Sequence, residues 1–241
     1  MKDQFKIGID YGGTKIEAIL MNNKGDEIKR ERSEYDRNYE SGISTVKKFV
    51  ETFKKESSNE ATVGIAIPGY SSKETGLVHN ANSDWLNNKH FKKDLEKNLN
   101  CEVKIMNDAN CFTLSEAIDG AGKDFKSVFG IIIGTGFGSG LSYKKEVIEG
   151  ANQVAGDWGH QPLPYPTEEE INSKIKCTLP TCGRPLCAEQ FVSGAGFAKN
   201  FNLKHNTNYK APEIVALDKK GDLKANKEFE LYEDRFARLI A

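Results

Sequence analysis

Hydrophobic and polar positions repeat along the chain with two different periods, and each change of period marks an element. Phe5-Lys6-Ile7-Gly8-Ile9-Asp10 alternates as a half-buried strand, and Ile16 to Met21 is apolar again with Glu17 interrupting. Tyr11-Gly12-Gly13-Thr14-Lys15 between them predicts a β-hairpin with glycines at the bend. A third strand, Glu27 to Ser33, follows the turn Asn22-Asn23-Lys24-Gly25. Val46, Phe49, Val50 and Phe53 then recur at helical spacing, the buried face of a helix. Thr62 to Ile67 is a continuous apolar run, a buried strand stopped by Pro68-Gly69. Phe91, Leu95 and Leu99 predict a second helix, Val103 to Met106 a strand, and Cys111, Leu114 and Ile118 a third helix. Ser127 to Ile133 predicts a strand that runs into Gly134-Thr135-Gly136-Phe137-Gly138-Ser139-Gly140, after which Leu141 and Tyr143 resume a strand pattern. Leu223 to Ala241 reads as an amphipathic helix, with Phe229, Tyr232, Phe236 and Leu239 along one face. Strands alternating with helices predict an α/β fold.

Composition narrows the function classes. With 241 residues, 38% hydrophobic and 29% charged, the chain has room for one or two domains with a full core. A formal net charge of −1 offers no basic surface to nucleic acid or membrane. No apolar run approaches the roughly 18 residues of a membrane helix. The first residues lack an apolar signal region, so the cytoplasm is the expected compartment. Five cysteines, an odd number, fit reduced thiols or a metal site better than a disulfide framework.

The candidate chemistry sits at the turns. Asp108, in Asn107-Asp108-Ala109-Asn110, falls where a strand hands over to a helix. Free backbone N–H groups there keep a carboxylate ionised and ready to accept a proton; an N-cap is its alternative use. Gly12 and Gly13 let backbone N–H groups approach a phosphate, Thr14 and Lys15 add donors, and Asp10 can orient Mg²⁺ through water. An ordinary hairpin turn is the alternative. In the second glycine stretch, four glycines in seven residues are costly to order, which points to close approach of a ligand rather than packing. A strand follows rather than a helix, which excludes the dinucleotide fingerprint, and no Gly-Lys-Ser/Thr follows, which excludes a Walker loop. Two glycine hairpins, with an aspartate at a helix start before the second, suggest two lobes closing on a nucleotide. Asn80, Asn82 and Ser83 carry donors and acceptors suited to hydroxyls, and Trp85 offers a stacking face; a polar loop with one buried aromatic is the alternative. Cys177, Cys182 and Cys187, with His160 upstream, supply four soft ligands, the count for a closed, structural zinc site. Such a zinc would pin the loop that carries Asp157, His160 and Glu189, and the second ring nitrogen of His160 could still donate to a bound hydroxyl. Three free thiols and a surface histidine are the alternative.

Together these segments resemble the ROK family of sugar kinases, within the hexokinase, Hsp70 and actin superfamily. Ile9 to Lys15 resembles its first phosphate motif, Asn107 to Asn110 its catalytic segment and Ile133 to Gly138 its second phosphate motif. Gly159-His160 with Cys182 to Glu189 resembles its zinc signature. Asn80 to Asn87 and Gly159 to Pro164 look most like bacterial fructokinases, with N-acetylglucosamine and glucose kinases sharing the motifs. The resemblance implies a two-lobed, actin-like ATPase (ribonuclease H-like) fold with lobes at residues 1–117 and 118–241. It implies ATP, Mg²⁺ and a structural Zn²⁺ as cofactors, a hexose as substrate and often a homodimer. Asp108 would be the general base, while Asn82, Asn107, Asp157, His160 and Glu189 would hold sugar hydroxyls. Gly12, Gly13, Thr14, Lys15, Gly134, Thr135, Gly136 and Gly138 would hold phosphates, and Asp10 would orient Mg²⁺. The zinc ligands would be His160, Cys177, Cys182 and Cys187.

Three departures qualify the expectation. Cys177 lies five residues before Cys182, where the family has two. Asp157 stands where the family carries glutamate, which lowers the expected sugar affinity. The chain is shorter than its relatives, so an incomplete second lobe and a weak or inactive kinase are expected, with a sugar-binding remnant as the non-enzyme reading. A family repressor is disfavoured because the first hairpin begins too early to leave room for a helix-turn-helix.

Overall fold

The computed structural model describes residues 5–57, 61–173 and 182–241. The chain divides into two compact units, Met1–Phe112 with Gly150–Val154 and Thr113–Glu149 with Ala155–Ala241. The first unit opens with β1 (Phe5–Tyr11), β2 (Lys15–Met21) and β3 (Glu27–Glu34), followed by α1 (Tyr39–Glu56) and β4 (Ala61–Ile67). A short antiparallel pair, β5 (Tyr70–Ser71) and β6 (Val78–His79), leads to α2 (Phe91–Leu99), β7 (Val103–Asn107) and α3 (Asp108–Ile118). The strands form one sheet in the order β3-β2-β1-β4-β7. β1, β4 and β7 run parallel, and β2 and β3 are antiparallel additions.

The period-two pattern decides which face is covered. Ile7, Ile9 and Tyr11 of β1, Ile16, Ala18 and Leu20 of β2, and Val63, Ile65 and Ile67 of β4 are all buried. They join Val46, Phe49, Val50 and Phe53 of α1 and Phe91 and Leu95 of α2 in one core. α1 is capped by Asn38, whose side chain accepts from the Ser41 N–H at 2.8 Å. A Cβ at Gly42 of this helix would collide with the Tyr11 hydroxyl, so the glycine is what admits the tyrosine ring. β3 reads Glu-Ile-Lys-Arg-Glu-Arg-Ser-Glu and lies at the sheet's edge, where its charges discourage further strand pairing.

In the second unit β8 (Ser127–Ile133), β9 (Phe137–Tyr143) and β10 (Glu146–Val147) form an antiparallel sheet in the order β10-β9-β8. Then come α4 (Glu168–Ile171), α5 (Glu189–Val192), α6 (Gly194–His205), α7 (Ala211–Asp218) and α8 (Leu223–Ile240). α8 carries the expected apolar face: Tyr232 stacks between Phe229 and Phe236, Phe236 meets Phe137 of β9, and Leu239 is buried. It also buries charges that the amphipathic pattern assigned to solvent. Arg235 and Glu228 are 4% and 2% exposed, and Arg235 donates to Glu170 of α4 at 2.8 Å. Arg238 reaches the same carboxylate, also at 2.8 Å.

Candidate active site

In the first unit the parallel strands end together. Ile9 pairs with Ile65, Ile65 with Ile105, and Ile67 with Asn107, so the carboxyl ends of β1, β4 and β7 share one edge. That edge is where open α/β sheets bind ligands. Asp10 lies there near the end of β1, and Asp108 opens α3 directly after β7. Strands two apart in a sheet are separated by about 10 Å. Both carboxylates act on one neighbour: burial first, then Asp108 and Asp10, push the Cys111 thiol up to about 11. Asp10 itself is raised by burial and by Glu17, with Arg32 opposing.

Asn107, not Asp108, caps α3. Its Oδ1 accepts from the Asn110 N–H at 3.1 Å and its Nδ2 donates to the Gly69 carbonyl at 3.0 Å. These backbone partners take up much of the amide that the sequence assigned to sugar. Asp108 is left exposed in the first turn, with its Oδ1 accepting from the Ala109 N–H at 2.8 Å.

The first glycine turn is Gly12-Gly13-Thr14. The Gly12 N–H donates to the Lys15 carbonyl at 3.1 Å, and a Cβ on Gly12 would lie 2.8 Å from that oxygen. Gly13 and Thr14 are exposed. Lys15 belongs to β2, and its ammonium lies 3.6 Å from Glu34 of β3. The pair is exposed and contributes about 0–1 kcal/mol. The loop after β6 presents Asn82 to solvent, and Asn87 braces it by accepting from the Ala81 N–H at 3.0 Å and donating to the Ala81 carbonyl at 2.8 Å.

In the second unit the glycine turn is shorter than expected. Ile133 pairs with Phe137, so only Gly134-Thr135-Gly136 form the turn, while Gly138 and Gly140 lie inside β9. Packing explains part of that glycine content after all. Gly140 pairs with Gly130, whose missing Cβ would strike Thr113, and Gly140 also lies where a Cβ on Gly156 would go. The turn itself is held by Glu189, 5% exposed, whose Oε2 accepts from the Phe137 N–H at 3.2 Å. A second brace was missed. The Gly194 N–H at the start of α6 donates to the Gly134 carbonyl at 2.9 Å, with the Ser193 hydroxyl accepting from the Gly196 N–H. The run Ser193-Gly194-Ala195-Gly196 was its signal, a cap followed by residues small enough for close approach.

Two loop segments zip together to gather the polar residues. The Leu163 N–H donates to Leu186, Ala188 to Gln161 and Glu189 to Gly159, at 2.8–2.9 Å. His160 consequently turns Nδ1 toward the Cys187 sulfur at 3.5 Å and Nε2 toward the Glu189 carboxylate at 4.0 Å. Cys182 and Cys187 bring their sulfurs to 3.7 Å, and one donor atom from each of the three residues lies within 4.8 Å of the others. Tetrahedral zinc with its usual bond lengths spaces two sulfurs by about 3.8 Å and sulfur from nitrogen by about 3.5 Å. The donor set fits that ion. Cys177 lies outside the described residues. Asp157 keeps contact with solvent, but partial burial of its carboxyl raises its pKa, with His160 opposing and Glu189 adding to the rise.

Comparison with known proteins places this arrangement. Residues 6–241 match the ROK family. The N-acetyl-D-glucosamine kinase of Vibrio cholerae is 36% identical over 235 residues, 97% of this chain and 76% of the relative. That of Aliivibrio salmonicida is 35% identical with the same coverage. Among solved structures, the ROK hexokinase of Thermus thermophilus superposes with a TM-score of 0.76 at 22% identity, over 93% of this chain and 72% of its own. A ROK glucokinase of Streptomyces griseus, in complex with glucose and AMPPNP, gives 0.71 at 22% identity, over 93% and 74%. These likenesses establish the α/β, actin-like ATPase fold.

Proposed function

The chain belongs to the ROK family of sugar kinases, and on that premise we propose that it transfers the γ-phosphate of ATP to a hexose hydroxyl, with N-acetylglucosamine as first substrate. The observation that carries the reading is the shared edge of β1 and β7, with two acidic side chains and a glycine turn beside them. Phosphoryl transfer passes through a loose transition state, so positioning and charge neutralisation matter more than a strong base. Asp108, exposed at the helix start, accepts the proton of the attacking sugar hydroxyl, taken as C6–OH. The exposed turn residues Gly13, Thr14 and Thr135 offer backbone N–H groups to phosphate oxygens, while the Gly134 N–H is donated to the Gly136 carbonyl at 3.0 Å. Asp10 would hold Mg²⁺ through water, and a bound Mg²⁺ supplies charge neutralisation on the phosphates. Asn82, Asp157, His160 and Glu189 read the sugar hydroxyls. His160, Cys182 and Cys187 would hold a structural zinc, with Cys177 as the fourth ligand.

N-acetylglucosamine is favoured by the 36% identity to kinases of that sugar. Fructose is the second reading, favoured by the stretches Asn80 to Asn87 and Gly159 to Pro164. A panel of hexoses in an ADP-release assay tests both. Sugar-dependent ADP release is expected, with a higher kcat/KM for N-acetylglucosamine than for fructose. The reverse order selects the fructose reading. Sugar binding without ADP release supports the non-enzyme remnant, and no response to any hexose defeats the proposal.

A further inference from the structure

We infer that Tyr35 is a positioning residue that ties the first glycine turn to the loop carrying Asn82, and that sugar and nucleotide binding are coupled through it. The inference rests on the roles given to those two segments above. Tyr35 follows β3, and its hydroxyl donates to the Gly12 carbonyl at 2.9 Å. Its ring meets the edge of Tyr11, the residue before the turn, at 5.5 Å and 62°. The same ring meets Trp85 at 6.2 Å and 74°. Trp85 lies on the 3₁₀ turn Asp84–Leu86 of the Asn82 loop and donates from Nε1 to the Tyr11 hydroxyl at 3.4 Å. One aromatic bridge thus connects a group on the turn's backbone to the loop that reads the sugar.

A second observation puts the loop in contact with the turn itself. Ser83, next to Asn82, is fully buried, and its hydroxyl has no hydrogen-bond partner. It faces the turn, 3.3 Å from where a Cβ on Gly13 would stand. The turn and the loop are thus both bridged and in direct contact, so a ligand that shifts either segment acts on the other. Coupling of this kind is reciprocal: sugar tightens nucleotide binding by the factor by which nucleotide tightens sugar binding.

The test is the Kd of AMPPNP, by calorimetry, with and without saturating N-acetylglucosamine, or fructose if the hexose panel selects it. In the unaltered chain the sugar is expected to tighten AMPPNP binding by about five-fold or more. In Tyr35→Phe, which loses only the hydroxyl, that factor is expected to fall below about two-fold, with the sugar's own Kd and the Tm unchanged. Coupling retained in Tyr35→Phe overturns the inference and leaves the kinase reading intact, as does AMPPNP binding in the unaltered chain that the sugar does not affect. Failure of the unaltered chain to bind AMPPNP at all overturns both. If Tyr35→Phe does not fold, Trp85→Phe breaks the bridge from its other end, and unchanged coupling there is equally fatal.

Discussion

In the first unit the turn Gly12-Gly13-Thr14 grows out of two central strands, with Ile9, Tyr11 and Ile16 buried beside it and α1 and α2 covering the same core. In the second unit Gly134-Gly136 joins two strands of a three-stranded sheet, and a buried carboxylate, Glu189, and the start of α6 hold it in place. The two turns look alike as sequence, yet apolar packing positions one and polar side chains on loops position the other. Packing is insensitive to metal and to charge. The polar brace is not, because Glu189 also faces His160, and His160 faces the two cysteines. The position of the second unit's turn should therefore respond to metal removal and to loss of the Glu189 charge, while the position of the first unit's turn should not.

The largest effect is expected on the packed side. Asp108→Asn keeps size and shape but cannot accept the proton, so kcat should fall by roughly 10²–10⁴-fold, with Tm within a few degrees. A kcat within ten-fold of the unaltered enzyme would remove Asp108 from the chemistry. On the polar side, Cys187→Ser or chelator treatment should raise the sugar KM by about 10–100-fold and leave AMPPNP affinity nearly unchanged. Zinc content measured on the same samples should fall in parallel, and full zinc in Cys187→Ser would break the comparison. The finest contrast lies within one turn. Gly136→Ala places a methyl 3.0 Å from the Glu189 carboxylate, whereas Gly134→Ala meets nothing within 4 Å. The first should raise the ATP KM by about five-fold, equivalent to losing one hydrogen bond of about 1 kcal/mol. The second should change it little, and equal effects would show that Glu189 does not set the turn.

These contrasts separate what was legible in the sequence from what was not. The strand Ser127–Ile133 and the position of Asp108 between strand and helix follow from local period, and the structure has both. The glycines of the second stretch could not be divided between turn and strand, because Gly140 owes its place to Gly130 and Gly156, which are distant in sequence. That Asn107 would cap α3 depends on Gly69 as a second partner. Tyr35 carries no local signal; its role arises from a fold that returns it to Gly12. Helices α5 to α7 lie in sequence that shows no long amphipathic pattern, and α6 begins with two glycines in three residues.

The charges that α8 buries make its attachment sensitive to acid. Burial alone would raise the Glu170 pKa, but Arg238 and Arg235 hold it below the ordinary carboxylate value. A carboxylate depressed in this way stabilises the fold above its unfolded pKa, and the contribution is lost as pH falls through the folded value. Protonation would weaken the Glu170 pairs with both arginines, while Arg235 keeps Glu228 at 3.3 Å and Arg238 keeps Asp234 at 2.9 Å. As pH falls below the ordinary carboxylate range, then, the Tm should drop as α8 loses part of its hold on α4, while the five-stranded sheet, whose core is apolar, is unaffected.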